Sequence, residues 1–214
     1  MNISNLIKEY INSFEEDMAI IKDGTDSLTK SQFLKLRRLI NDSIKTENAI
    51  VAILIRRSAL YIGLYLTLLE RGITIVPVNT EWTDEFKSYV LDTSGCTHLI
   101  TNKLITEEDE TYGQTPITIK PYGKESYKWD KTISYIIFTS GSTGKPKGVC
   151  ISKEALEEYA EEFNYGTDDT NGGYHLITGE ITFDIIIADL VIALKTSKGI
   201  YITRNKSNIF EAAK

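Results

Sequence analysis

The segment from Phe138 to Val149, FTSGSTGKPKGV, concentrates residue types that bind anions. Its ten central residues hold four hydroxyl side chains, three glycines and two lysines. Glycines let backbone N–H groups approach an anion closely, hydroxyls add hydrogen-bond donors, and a lysine supplies a positive charge. This combination suits a polyphosphate. The alternative is a flexible hairpin turn that binds nothing.

The spacing within this segment excludes two common nucleotide-binding loops. In a Walker A loop four residues separate the first glycine from the Gly-Lys pair, whereas two separate Gly141 from Gly144-Lys145. Pro146 also stands where that loop needs a serine or threonine, and the dinucleotide-binding fingerprint does not fit either. The candidate phosphate-binding residues are Thr139, Ser140, Gly141, Ser142, Thr143, Gly144, Lys145 and Lys147.

Alternating helices and strands are predicted around this loop. The continuous β-branched run Ala49–Ile55 indicates a strand buried on both faces, and Ser58 is a helix cap for Ala59–Glu70. Two successive strand–helix–strand units favour a right-handed, parallel arrangement. We therefore predict an α/β fold, a mainly parallel sheet with helices on both faces, built from strands near residues 50, 73, 97, 134 and 200, with the strand at 49–55 in the centre. Further predicted elements are helices at Asn5–Phe14, Thr83–Leu91, Lys153–Phe163 and Ile185–Leu194, a helix capped by Ser27 or Thr29 and ending near Asn41, and strands at Met18–Ile21, Ile117–Ile119, Val149–Ile151 and Gly199–Thr203.

Composition removes several functional classes. The 214 residues carry a net charge of −6 and no block of basic residues, which argues against a nucleic-acid or anionic-membrane partner. Cys96 and Cys150 are too few and too far apart for a disulfide framework or a cysteine zinc site, and they suit a reducing cytosol. The apolar stretch Ala49–Leu69 is cut by Arg56 and Arg57 into runs too short to span a membrane. With no secretory signal pattern at the start, we predict a cytoplasmic protein.

The string Phe138–Val149 is similar to the signature phosphate loop of the AMP-forming adenylating enzymes. This family includes acyl-CoA synthetases, luciferases, and nonribosomal-peptide and D-alanine–carrier-protein adenylation domains. Three further segments resemble family patterns: Ser27–Leu34 the "LTYxEL" helix start, Leu69–Asn79 the "LKAGxAYVPID" segment, and Asp92–Thr101 the "DSGAKLLLT" strand. The resemblance implies that residues 1–214 are a partial N-terminal AMP-binding domain, the first subdomain of the adenylate-forming N-terminal domain.

A second resemblance concerns the substrate. Phe183-Asp184, followed by the apolar run Ile185–Leu194, looks like the family's "FDxSVWE" segment. In members that activate amino acids, this aspartate pairs with the α-ammonium group of the substrate. The resemblance implies substrate-binding roles for Asp184, Ile185 and Ala188, where alanine replaces a frequent tryptophan and leaves more room. The alternative is that Asp184 only caps the helix.

The resemblance also implies a cofactor and a reaction. ATP with Mg²⁺, the metal held through the phosphates, would react with a small carboxylic or amino acid, and the complete enzyme would pass the acyl group to a carrier-protein or CoA thiol. In the family, later segments bind the adenine and the ribose, and a C-terminal lid carries a lysine. None of these segments has a counterpart in these residues. We therefore assign no catalytic residue and no metal ligand here, and expect this chain alone to be inactive.

Three interpretations remain open at this point. The first is an N-terminal fragment of an amino-acid-adenylating enzyme, the second a fragment of a carboxylic-acid:CoA ligase. The third is a stand-alone nucleotide-binding or interaction module without catalysis. Two physical expectations accompany them. The loop Thr139–Lys147 should be mobile without nucleotide, and the helix Ile185–Leu194, apolar nearly all round, should leave an uncovered face that supports a homo-oligomer.

Overall fold

The computed structural model describes residues 2–46, 48–102, 117–123, 132–139, 146–163, 173–196 and 198–204. Within these ranges the chain forms six helices and ten strands. The helices are α1 (Ile3–Asn12), α2 (Lys30–Ser43), α3 (Ala59–Glu70), α4 (Asp84–Ser94), α5 (Lys153–Glu162) and α6 (Ile185–Thr196). The strands are β1 (Ala19–Lys22), β2 (Ser27–Thr29), β3 (Ile50–Leu54), β4 (Thr74–Pro77), β5 (His98–Asn102), β6 (Ile117–Pro121), β7 (Ile133–Thr139), β8 (Lys147–Ser152), β9 (Tyr174–Ile177) and β10 (Gly199–Ile202).

The larger of two sheets contains six strands in the order β6-β5-β3-β4-β7-β8. Its four inner strands, β5, β3, β4 and β7, are parallel, while β6 and β8 are antiparallel edge strands. The predicted α/β class and the central position of β3 are confirmed, because β3 pairs with β4 on one side and β5 on the other. The carboxyl ends of the four parallel strands therefore share one edge, the usual position of ligand sites in such sheets.

Successive crossovers in opposite directions put helices on both faces of this sheet. The chain passes from β3 to β4 through α3, then back across β3 to β5 through α4. Since such crossovers are right-handed, the two helices must lie on opposite faces. The alternation along β3 agrees: Val51 and Ile53 belong to the core that contains α3, and Ile50 and Ala52 to the core that contains α4.

The strand near residue 200 is not part of this sheet, which corrects the prediction of a single sheet. It lies in a second, four-stranded sheet in the order β2-β1-β10-β9, with Ile200 beside Ile21 of β1. Strands β2 and β9 were not predicted. Thr29, the last residue of β2, is the cap of α2: its hydroxyl accepts from the Gln32 amide at 3.2 Å, and the Gln32 side chain accepts from the Thr29 amide at 2.8 Å.

Helix α3 joins the two sheets into one core. It contacts β4 of the larger sheet, β1 and β2 of the smaller one, and helices α1 and α2. This position explains why its sequence is apolar all round, since each side is covered by a different neighbour. The predicted bounds and the Ser58 cap are confirmed, with the Ser58 hydroxyl accepting from the Tyr61 amide at 3.2 Å. In the part of the chain described here, no helix has both the length and the apolar composition of a membrane span.

Candidate functional site

Strands β7 and β8 hold the two ends of the glycine-rich segment side by side. Thr139, at the carboxyl end of β7, pairs with Lys147, the first residue of β8, and both are exposed. The candidate residues from Ser140 to Lys145 lie outside the described ranges, and so does most of the loop whose mobility the sequence predicts. The two described ends, Thr139 and Lys147, lie at the carboxyl edge of the parallel strands.

Two neighbouring contacts fix this hairpin. The Tyr89 hydroxyl of α4 donates to the Pro146 carbonyl at 2.9 Å, and the Tyr89 ring meets the Phe138 ring edge-on, with centroids 6.3 Å apart. At Gly148 a Cβ atom would stand 3.2 Å from side-chain atoms of both Ile136 and Phe138. Glycine therefore lets β8 lie tightly on β7 just beyond the loop.

The candidate substrate residues lie around the start of α6. Asp184 directly precedes the helix and is exposed, Ile185 is 52% exposed, and Ala188 is half-buried. The Ile185 side chain covers the backbone of Gly179, where a Cβ atom would come within 2.6 Å of Ile185 Cγ2. The segment that leads from β9 to Asp184 is thus packed against the residue that follows Asp184.

Two tyrosines, one on β7 and one on α5, feel the charge of Asp184. Burial, then the charges of Asp184 and Tyr159, raise the pKa of Tyr135 on β7 to about 12. Partial burial, then the charges of Asp189 and Asp184, raise the pKa of Tyr159 on α5. His175 Nε2 of β9 lies 3.0 Å from Asp189 Oδ1. His175 thus contacts Asp189 directly, while the negative charge of Asp184 disfavours ionisation of both tyrosines.

The guanidinium of Arg57 connects this region to the larger sheet. Arg57 follows β3, and it donates to the carbonyls of Ile177 (Nη2–O 2.6 Å), Gly179 and Thr203. These acceptors lie at or just beyond the carboxyl ends of β9 and β10. Burial lowers the pKa of Arg57, and the negative charges of Glu180 and Asp189 oppose this effect.

The uncovered apolar face expected on α6 is not present, and this corrects the argument for association through that helix. Ile186 and Val191 are fully buried within the chain, because the helix packs on β9, β10 and α1. The large apolar side chains that stay exposed in this region are Phe183, Ile185 and, on α5, Tyr159. Phe183 and Ile185 flank Asp184 in the sequence, and Tyr159 lies on a different helix.

From the sequence, the loop and Asp184 were proposed as the two ends of a site, whereas Tyr135, Tyr159 and Arg57 were not considered. Tyr135 could have been included, since alternation along β7 puts it on the same face as the buried Ile137. Tyr159 lies within the predicted helix Lys153–Phe163, and the structure leaves it exposed. Arg57 was treated as a break in an apolar run. Its partners lie 120 or more positions away, so no local signal indicates them.

Metal ligation has no support among the residues with described positions. No group of three or more histidine, cysteine, aspartate or glutamate side chains comes together there to hold a metal ion. His98 is engaged locally, with Nδ1 2.9 Å from Thr97 Oγ1. Cys96 is buried, and its burial raises the thiol pKa to about 12, whereas Cys150 is exposed on β8.

Comparisons with known proteins identify the family of this chain. Residues 37–194 match the family model described as AMP-binding enzyme, and the chain belongs to that family. Gramicidin S synthase 2 of Brevibacillus brevis is 30% identical over 189 residues, a match that covers 78% of this chain and 4% of the synthetase. Surfactin synthase subunit 1 of Bacillus subtilis is 25% identical over 212 residues, covering 91% of this chain and 6% of that subunit.

Solved structures agree on the fold. The N-terminal subdomain of Klebsiella oxytoca NpsA, in complex with 3-hydroxyanthranilyl-AMSN, superposes with a TM-score of 0.67 at 21% identity, covering 94% of this chain and 53% of that one. The o-succinylbenzoate CoA synthetase of Bacillus subtilis, in complex with its acyl-adenylate intermediate, gives a TM-score of 0.65 at 18% identity, covering 94% and 56%. The chain thus spans about half of these solved structures and a small part of the curated synthetases.

Proposed function

We propose that these residues are the N-terminal part of an ATP-dependent, AMP-forming ligase that activates an amino acid as an aminoacyl-adenylate for transfer to a thiol. One observation carries the proposal: a single strand, β7, ends at the phosphate-loop residue Thr139 and carries Tyr135, whose pKa is raised by burial and then by the charge of Asp184. At about 3.3 Å per residue, Tyr135 and Thr139 lie about 13 Å apart along the strand. An acid and a nucleoside triphosphate can be bound side by side over such a length.

Each end of the site would hold one substrate. The hydroxyls, the N–H groups and the Lys145 and Lys147 ammonium groups of residues 139–147 would hold the ATP phosphates, and Mg²⁺ would be bound through those phosphates. The Asp184 carboxylate would bind the substrate's ammonium group, with Ile185 and Ala188 beside the side chain. The substrate carboxylate then attacks the α-phosphorus, the bond to the bridging oxygen breaks, and pyrophosphate leaves.

The test is amino-acid-dependent ATP–pyrophosphate exchange, measured on the complete natural polypeptide that carries these residues. Asp184→Asn should raise KM for the amino acid roughly a hundredfold, because a charge-assisted hydrogen bond contributes about 1.5–3 kcal/mol. Asparagine caps helices as well as aspartate does, so the start of α6 is preserved. The deaminated analogue of the same acid should react equally well with both proteins.

The same experiment separates the other two functions. A carboxylic-acid:CoA ligase would show exchange with a simple acid and no effect of Asp184→Asn on it, and Asp184 would then be only a helix cap. A binding or interaction module would show no exchange with any acid. Equal KM values for the amino acid in the two proteins would contradict the proposed role of Asp184.

The 214-residue chain alone should bind ATP·Mg²⁺ weakly and form no adenylate, since it spans about half of the solved structures that it resembles and most contacts that distinguish the transition state would come from the remainder. Calorimetric titration with ATP·Mg²⁺ measures the binding directly.

A carrier-protein or CoA thiol would accept the acyl group in the complete enzyme. We place that enzyme in the cytoplasm, where Cys96 and Cys150 remain thiols. Association with a second copy stays open to sedimentation at micromolar concentration.

A further inference from the structure

We infer that Arg57 is a positioning residue for Asp184, because its guanidinium fixes the segment between β9 and α6 to the carboxyl end of β3. The inference rests on the proposed function in one respect, that Asp184 is the carboxylate that recognises the substrate. The role of Arg57 itself is argued from contacts within the chain. It would tie the acid-binding end of the site to the sheet that carries the phosphate loop.

Arg57 donates to three backbone carbonyl groups. The carbonyls of Gly179 and Thr203 lie beyond the last residues of β9 and β10, outside the strand pairing. A planar guanidinium with five donors can bind several such oxygens at once, which a lysine ammonium on its flexible stem does less well. The third acceptor, the Ile177 carbonyl, also receives the Thr203 amide at 3.2 Å. Arg57 thus holds both strand ends together.

Further contacts within the chain link the Gly179 carbonyl to Asp184. Beyond Gly179, the Phe183 amide donates to the Glu180 carbonyl at 3.1 Å, and the Ile187 amide donates to the Asp184 carbonyl at 2.8 Å. Ile185 closes the turn by packing on Gly179. The Gly179 carbonyl is bound by Arg57, and the Ile185 side chain packs on Gly179. These two contacts restrict the position of Asp184, which lies between Gly179 and Ile185 in the sequence.

Tyr135 can report the position of Asp184 in the absence of substrate. Tyr135 belongs to the larger sheet, and its pKa is raised by burial and then by the charge of Asp184. A change in the effect of that charge therefore reports whether the segment lies in place against the sheet. Tyr61 makes a weaker link to the same segment, with its hydroxyl 3.5 Å from the Ile181 carbonyl.

The experiment is a double-mutant cycle read by NMR on the 214-residue chain labelled with ¹³C at tyrosine Cζ. Asp184→Asn should shift the Tyr135 signal when Arg57 is present, and should shift it by less than half as much in the Arg57→Gln protein. Arg71→Gln is the matched control, because Arg71 also donates to two backbone carbonyls, those of Ile40 and Ile44, at the end of α2. In that background the full effect of Asp184→Asn should remain.

An undiminished effect of Asp184→Asn in folded Arg57→Gln protein would overturn the inference, as would the absence of any effect in the parent chain. If Arg57→Gln does not fold, Arg57→Lys carries the same cycle. Arg57→Lys should reduce the effect of Asp184→Asn on the Tyr135 signal at least twofold and should speed amide exchange at Phe183 and Ile187. An unchanged effect of Asp184→Asn in the Arg57→Lys protein would also overturn the inference. Because no substrate is present, a failure of the proposed function would appear only in the exchange assay.

Discussion

At the scale of single residues, Asp23 shows how one buried carboxylate ties together distant parts of the chain. Its oxygens accept from the amides of Ala59 and Asp26, each at 2.9 Å, and from Arg204 Nε at 3.0 Å. Burial disfavours the charged form, but these donors outweigh burial and lower the pKa of Asp23. Since Ala59 opens α3, the carboxylate also faces the positive end of that helix.

Asp23 should therefore stabilise the protein in a pH-dependent way. A carboxylate with a lowered folded-state pKa contributes fully above its ordinary pKa of 3.8, and the contribution is lost as pH falls through the lowered value. We expect Asp23→Asn to reduce the free energy of unfolding by about 2 kcal/mol at pH 7, with the difference shrinking below pH 4. Urea unfolding from pH 7 to pH 3 measures it. The exposed Asp42→Asn is the control, and a pH-independent difference would contradict the argument.

Gly179 gives a second prediction at this scale. An alanine Cβ there would lie 2.6 Å from Ile185 Cγ2, so Ile185 must move. We expect Gly179→Ala to cost about 1 kcal/mol of stability, in the range of overpacked sites. Adding Ile185→Ala should recover most of that loss, whereas Ile185→Ala alone should change little because the side chain is half exposed. Thermal unfolding of the three variants would reveal additive effects if the two residues do not interact.

At the scale of elements, α3 carries a buried tyrosine hydroxyl whose lost hydration is not compensated by a hydrogen bond within the described residues. The Tyr65 side chain is fully buried, and its hydroxyl has no hydrogen-bond partner among the residues with described positions. Burial raises the pKa of Tyr65 well above the ordinary value, which keeps the hydroxyl neutral. Such a group carries the cost of lost hydration without compensation.

We therefore expect Tyr65→Phe to leave the free energy of unfolding unchanged or to raise it by up to about 1 kcal/mol. Tyr10→Phe is the matched comparison, because the equally buried Tyr10 hydroxyl donates to the Lys198 carbonyl at 2.9 Å. That substitution should cost about 1 kcal/mol. Denaturant unfolding compares the two variants, and an equal loss in both would indicate that Tyr65 has a partner after all.

The same elements show what sequence could and could not predict. Local signals located α3 to the residue and α4 at its Thr83 cap, because a capping hydroxyl and a terminal glycine act within one turn. The division into two sheets was missed, since β10 pairs with β1, almost 180 positions away, and period alone does not choose partners. For the same reason Arg57, whose partners lie 120 or more positions away, could not be linked to Asp184 from the sequence, whereas the loop and Asp184 were proposed from local motifs.

At the scale of the whole molecule, one of the two cores serves both sheets. The buried cluster around α3 includes Ile53 and Ile75 of the larger sheet together with Ile21 and Ile200 of the smaller one. The second core, which contains α4, covers only the other face of the larger sheet. The smaller sheet and the α3 face of the larger sheet are thus buried against the same side chains. The two sheets are therefore expected to unfold as one cooperative unit, although each has its own strand pairing.

Leu64→Ala tests this cooperativity from the centre of α3. Leu64 is fully buried, and its truncation should cost about 3 kcal/mol, the transfer term plus the cavity left between the sheets. Because the loss falls on the common core, amide exchange through global unfolding should accelerate by the same factor in β3 and in β10. Leu156→Ala in α5, buried beside β7 and β8, is the comparison at the margin of that core. Native-state exchange measured by NMR reads every strand separately. If Leu64→Ala accelerates exchange in β10 and leaves β3 at its parent rate, the two sheets unfold independently and the description of a core shared by both sheets is wrong.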